Sequence, residues 1–128
     1  FSDSGAHVSQ IMDSSLQTHM LGHWVRNEQA FTIEQAVHRM TQVPATAWGF
    51  LDRGVIAPGM AADINVFDLG TVTPDMPELV YDLPGGARRL RQTASGFRAT
   101  LVNGQVLLDH GEATGARPGQ LLRGRLAN

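Results

Sequence analysis

Cysteine and lysine are both missing from this sequence of 128 residues. Without cysteine, neither disulfides nor thiolate zinc sites can hold the fold and a cysteine nucleophile is excluded, so stability has to come from packing. Without lysine, the chain can form no Schiff base, offers no lysine nucleophile and supplies no carboxylated lysine to bridge metals, because all ten basic residues are arginines. Long apolar runs are lacking too. None approaches the ~20 residues that cross a bilayer, and no basic-then-apolar leader precedes the polar start, so no membrane partner is expected and the expected location is cytoplasmic. Charge of one sign is equally scarce. Twelve acidic against ten basic residues leave a formal net charge of −2 with no long run of either sign, so nucleic acid is not an expected partner.

What is present begins with a polar hexapeptide, Ser2-Asp3-Ser4-Gly5-Ala6-His7. A carboxylate among small residues that let a ligand approach can bind a divalent metal or take a proton from a metal-bound water. Read locally, Asp3 serves equally as an Asx turn or a helix cap. No other group in the sequence completes an active site with it. The sequence opens on Phe1 rather than methionine, and the expectation is that it is one end of a longer polypeptide.

Further along, Leu16, Met20 and Trp24, with Leu21 and Val25 on a neighbouring stripe, predict a helix over 16–28. Thr32 and Gln35 form a capping box at the start of a second helix whose apolar stripe is Ile33, Ala36, Val37 and Met40. It should end near Gln42, because Pro44 disfavours a helical Val43. Pro44 then suits the first turn of a short third helix closed by Gly49 as a left-handed cap. Beyond Gly49 the bias turns to β structure. Ile64, Val66 and Phe67 predict a strand, and Asn103-Gly104 between 99–102 and 105–108 predicts a two-residue hairpin turn with positive φ at both centres. The stretch from Thr71 to Gly96 reads as polar and broken, without regular structure.

Other candidate groups are less specific. His19 and His23 share a helix face at the spacing of zinc ligands, but no glutamate stands beside the first histidine, so the metalloprotease pattern fails. His7 lies near Asp3 in sequence. Arg88, Arg89 and Arg91 follow the flexible Pro84-Gly85-Gly86 and could clamp a carboxylate with their guanidinium forks, or simply line a solvated loop. No serine-hydrolase elbow and no phosphate-cradling glycine loop occurs.

The order of the motifs carries more than any one of them. The opening hexapeptide, the helix from Thr32 with Met40-Thr41 and Pro44-Ala45, Gly49-Phe50, Arg53-Gly54, the run Pro58-Gly59-Met60-Ala61-Ala62-Asp63-Ile64-Asn65-Val66-Phe67-Asp68, then Val102-Asn103-Gly104 and Thr114-Gly115-Ala116-Arg117-Pro118-Gly119 resemble the C-terminal part of the amidohydrolase superfamily. Within it the likeness is to the N-acyl-D-amino-acid deacylases, or D-aminoacylases, and covers nearly the whole chain.

That resemblance implies an α+β fragment: the last strand and closing helices of a metal-dependent (β/α)8 barrel in residues 1–52, then the C-terminal strands of a small β-sandwich in residues 53–128. It implies hydrolysis of the amide of a small N-acyl-D-amino acid by a zinc-dependent parent enzyme, zinc being replaceable by another divalent metal. Asp3 matches the aspartate that ligates the metal or shuttles protons beside it. His7, Arg88 and Arg89 become candidates for substrate binding, and Asp63 is expected to satisfy backbone donors where the chain enters the strand at Ile64. The family's His-x-His pair and its other ligands have no counterpart here, so most zinc ligands and the rest of the barrel are expected outside this chain. The segment alone is then inactive, with the remainder of the parent enzyme as its partner and self-association of the fragment expected. A cyclic-amide hydrolase of the same superfamily, like dihydropyrimidinases and hydantoinases, and a non-enzymatic β-rich interaction module are the alternative readings.

Overall fold

A computed structural model of the chain describes Ser4, Gln10 and residues 14–122. Asp3 and His7 lie outside the described residues. Among those described, a helical layer comes first and an antiparallel β region follows. Helix α1 spans Leu16–His19 and runs directly into a π-helix over Met20–Asn27. Helix α2 covers Ile33–Met40 and α3 covers Gln42–Ala47.

The single helix expected over 16–28 thus changes character at Met20, and its buried side is not the one the stronger stripe suggested. Leu21, Gly22 and Val25 are buried, whereas Leu16 and Trp24 are 47% and 43% exposed. The reason lies across the interface. A Cβ on Gly22 would stand 2.9 Å from the carbonyl oxygen of Val72, so the helix approaches the β region with its backbone along that side. Arg26 secures the contact, its Nη1 donating to the carbonyl oxygens of Val72 at 2.7 Å and Leu69 at 3.2 Å.

The start of α2 follows its sequence. Thr32 Oγ1 accepts from the Gln35 backbone N–H while the Gln35 side chain accepts from the Thr32 N–H, closing the capping box. Helix α3 contains Pro44 in its first turn and stops before Gly49, whose φ is +74°.

Among the described residues eight strands follow: β1 Ile64–Phe67, β2 Thr73–Pro74, β3 Glu78–Leu83, β4 Ala87–Arg91, β5 Ala94–Ser95, β6 Phe97–Val102, β7 Gln105–Asp109 and β8 Glu112–Ala113. The sheet order is β1-β6-β7-β8, with β2 paired to β5 and β3 paired to β4, all antiparallel. The hairpin turn expected at Asn103-Gly104 is present, with φ of +48° and +78°.

The stretch from Thr71 to Gly96, read as irregular from sequence, contains four of these strands. The ladders β1/β6, β2/β5 and β3/β4 are nested, so residues 64–101 form one long interrupted hairpin whose tip is the 3-10 turn Pro84–Gly86. The reading failed because Pro74, Pro77 and Pro84 and the shifts in register break the alternation that marks a strand.

The buried core is small: Thr18, Leu21, Val25, Ala36, Ala45 and the fully buried Val72. Val72 lies where the helical layer meets the nested hairpin. Gly96 faces it so closely that a Cβ there would lie 2.5 Å from the Val72 backbone. No helix among the described residues is long and apolar enough to cross a membrane.

Candidate functional site

Several sequence motifs converge on Asp63. Its Oδ1 accepts from the Asn103 backbone N–H at 2.9 Å, and its Oδ2 receives Arg53 Nη1 at 2.6 Å. Arg53 also grips Asp52 through Nε at 3.0 Å and Nη2 at 3.1 Å. The same Asn103 sends Nδ2 to the Pro118 carbonyl at 2.8 Å, and the Gly104 N–H meets the Ala62 carbonyl at 3.0 Å. Arg53-Gly54, the Ala-Ala-Asp run, the Asn-Gly turn and Arg117-Pro118-Gly119 therefore form one knot at the foot of β1. The expectation that Asp63 satisfies a backbone donor holds, and the donor comes from a turn forty residues away.

Electrostatics follow the same contacts. The Arg53 fork holds the Asp52 carboxyl below its usual range and is itself pushed up. On the distal hairpin, Arg89 donates through Nε and Nη2, both at 2.7 Å, to Asp82, which lowers the Asp82 carboxyl and raises the Arg89 guanidinium. Arg91 pairs with Glu78, its Nε donating at 2.8 Å and its Nη2 also donating to the same oxygen, Oε1. Arg88, one residue before Arg89 on β4, is exposed. Sequence reasoning overlooked Asp75. Its carboxylate accepts Ser95 Oγ and Thr93 Oγ1, each at 2.7 Å, and these two hydroxyls hold it below the usual carboxylate range. The signal was an acid just after Pro74 with Thr and Ser eighteen and twenty residues on, which only the β2/β5 register brings together.

His19 and His23 do share a face, their rings stacked with centroids 4.8 Å apart, and Trp24 packs edge-on to His23. Among the described residues no third histidine, aspartate or glutamate joins them, and no group of three or more such side chains is placed to hold a metal ion. Between the helical layer and the sheet lies an apolar cleft of about 380 Å³, lined by Leu21, Val37, Met40, Ile64, Phe67 and Phe97 among others. A second cleft of about 410 Å³ is lined by Thr18, Asn65, Gln92, Thr93 and Thr100. The buried Gln92 Oε1 meets no donor among the described residues.

Residues 4–108 match the Amidohydrolase family. The N-acyl-D-glutamate deacylase of Alcaligenes xylosoxydans xylosoxydans is 37% identical over 106 residues, which are 83% of this chain and 20% of that protein. Among solved structures, the N-acyl-D-glutamate deacylase of Bordetella bronchiseptica, complexed with zinc and a phosphonate inhibitor that mimics the tetrahedral intermediate, superposes with a TM-score of 0.64. It is 40% identical and the match covers 84% of this chain and 20% of that one. A D-aminoacylase mutant in complex with copper chloride superposes with a TM-score of 0.68 at 32% identity, over 85% of this chain and 21% of that one. The chain thus spans about a fifth of the length of the curated relatives it matches first. With the family matched over most of its length and its motifs tied into one knot around Asp63, this chain belongs to the amidohydrolase family.

Proposed function

We propose that this chain is the C-terminal segment of a longer metal-dependent amidohydrolase that hydrolyses the amide bond of N-acyl-D-amino acids. The observation that carries the reading is the similarity to acidic D-amino-acid deacylases across more than four fifths of the chain. In this reading residues 1–52 complete a (β/α)8 barrel and residues 53–128 supply strands of the adjoining β-sandwich.

The molecular surface supports incompleteness. Trp24 and Val43 on the helices are 43% and 47% exposed, as residues that pack against further helices would be.

The described residues provide no metal cluster, so in this reading zinc takes Asp3 from this chain and its remaining ligands from elsewhere in the polypeptide. Zinc, when bound, polarises the scissile carbonyl and lowers the pKa of its water. Asp3 accepts the proton of the attacking water and returns it to the departing nitrogen, so that the products are a carboxylic acid and a D-amino acid. His7, four residues on, borders that position in sequence. Of the two arginines considered for the substrate carboxylate, Arg89 is committed to Asp82, which leaves Arg88 as the one to examine.

The test uses the longer polypeptide. Asp3→Asn is expected to lower kcat toward N-acyl-D-amino acids by at least ~100-fold, a chelator to abolish activity and zinc to restore it. Arg88→Met is expected to raise KM with kcat little changed. Hydrolysis of cyclic imides with none of N-acyl-D-amino acids would replace the deacylase reading by the cyclic-amide one.

A further inference from the structure

Strands β3 and β4 form a finger that packs chiefly on itself, whereas the helices pack on β2 and on one another. A two-stranded hairpin in water is marginally stable at best, so an exposed one needs a surface to lie on. This finger is stiffened from two directions. Gly85 and Gly86, with φ of +71° and +69°, make its turn, and the Glu78–Arg91 and Asp82–Arg89 pairs lace one of its faces.

Those ion pairs fix which residues lie opposite. Leu79 and Leu90 pair directly and lie, with Arg88, opposite Glu78, Val80, Arg89 and Arg91; the register shifts beyond Val80, and there it is the Asp82–Arg89 pair that turns Asp82 to the ion-paired face and its neighbour Tyr81 to the other. Leu79 is 45% and Tyr81 66% exposed. Tyrosine and arginine are residue types enriched in interface hot spots, and the leucines beside them add apolar area to cover.

Size decides what covers it. Strands of six and five residues give a face of roughly 20 Å by 10 Å from strand rise and spacing. Two copies meeting through such a face would bury well under the ~1,200 Å² of a stable two-chain interface. A surface tethered to the same polypeptide needs no such area, because tethering supplies an effective concentration in the millimolar range.

We propose that the Leu79, Tyr81 and Leu90 face of the finger docks on an apolar surface of the remainder of the same longer polypeptide and carries Arg88 to that surface. The inference rests on the reading that the chain is part of a longer deacylase.

Hydrogen exchange of the longer polypeptide tests it, with deacylase activity measured on the same sample. Amides of Glu78–Leu83 and Ala87–Arg91 are expected to exchange roughly 10- to 100-fold more slowly than in Tyr81→Ser, from the burial of one such side chain. The slowing should not depend on protein concentration. Leu79→Ser provides a second variant should Tyr81→Ser fail to fold. Equal exchange in wild type and both variants overturns the proposal, as does slowing that grows with concentration alongside a doubled mass by light scattering, which marks a second copy. A protected finger on a polypeptide without deacylase activity supports the docking and refutes the function. An active enzyme with an unprotected finger does the reverse.

Discussion

Asp63 ties two distant segments with one carboxylate, accepting from the Asn103 N–H and from Arg53. The pair is partly shielded, with side-chain exposures of 17% for Arg53 and 30% for Asp63. Removing the acceptor leaves the Asn103 N–H unpaired and Arg53 with Asp52 alone, and hydrogen bonds to a charged group contribute about 1.5–3 kcal/mol. Asp63→Ala is therefore expected to lower stability by about 2 kcal/mol, measured by urea denaturation. Asp75 gives the pH dependence. Ser95 and Thr93 donate to its carboxylate, so its folded pKa lies below the unfolded one. Its contribution is complete above the usual Asp value of about 3.9 and is lost as pH falls through the lower folded value. The arginine-paired Asp52 and Asp82 shift in the same direction. The wild-type urea midpoint should hold down to about pH 5 and drop below about pH 4. Asp75→Asn should be less stable at pH 7, and the gap should close on acidification; a gap that stays constant between pH 7 and pH 3 would remove Asp75 from this account.

At the scale of elements, the helices and the Asn-Gly turn were legible because their signals are local. A capping box and a glycine each act within a few residues of themselves, and the structure places the start of α2, the end of α3 and the β6/β7 turn where those signals put them; the proline reading was off, since α2 ends at Met40 and Val43 is already helical in α3 ahead of Pro44. The nested hairpin was not legible, since β2 and β5 are two residues each and exist only through partners about twenty positions away. A further turn went unrecognised at His110-Gly111, where φ of +48° and +87° joins β7 to β8. Histidine enters the left-handed region several-fold more often than most residues, which is the signal that was there to use. Glycines separate backbone need from close packing. Gly59 and Gly96 have nearly equal φ, +86° and +88°, but a Cβ at Gly59 meets open space while one at Gly96 strikes Val72. Gly59→Ala is expected to cost about 1–2 kcal/mol from the left-handed backbone alone. Gly96→Ala should cost about 3 kcal/mol or more, because overpacking is added to that strain. Equal melting temperatures for the two variants would contradict the close approach of Gly96 to Val72.

For the whole molecule, a small core beside a large exposed apolar surface sets the expectation for the isolated chain. On the reading proposed above, which puts the other zinc ligands elsewhere in the polypeptide, the 128-residue chain alone should bind less than one equivalent of zinc and hydrolyse no N-acyl-D-amino acid, as equilibrium dialysis and a product assay would show. Stoichiometric zinc or turnover by the chain alone would end that view. The sequence by itself determined the family resemblance, the start of α2, the end of α3 and the Asn103-Gly104 turn, because each is written in neighbouring residues whose sterics and capping act at short range. Tertiary structure alone decided which helix face is buried, that Thr71 to Gly96 folds as the outer part of one nested hairpin, and that Asp63 and Asp75 find partners ten to forty positions away. Those outcomes depend on close backbone approach at Gly22 and Gly96 and on strand register, and neither is encoded in any short stretch of the chain.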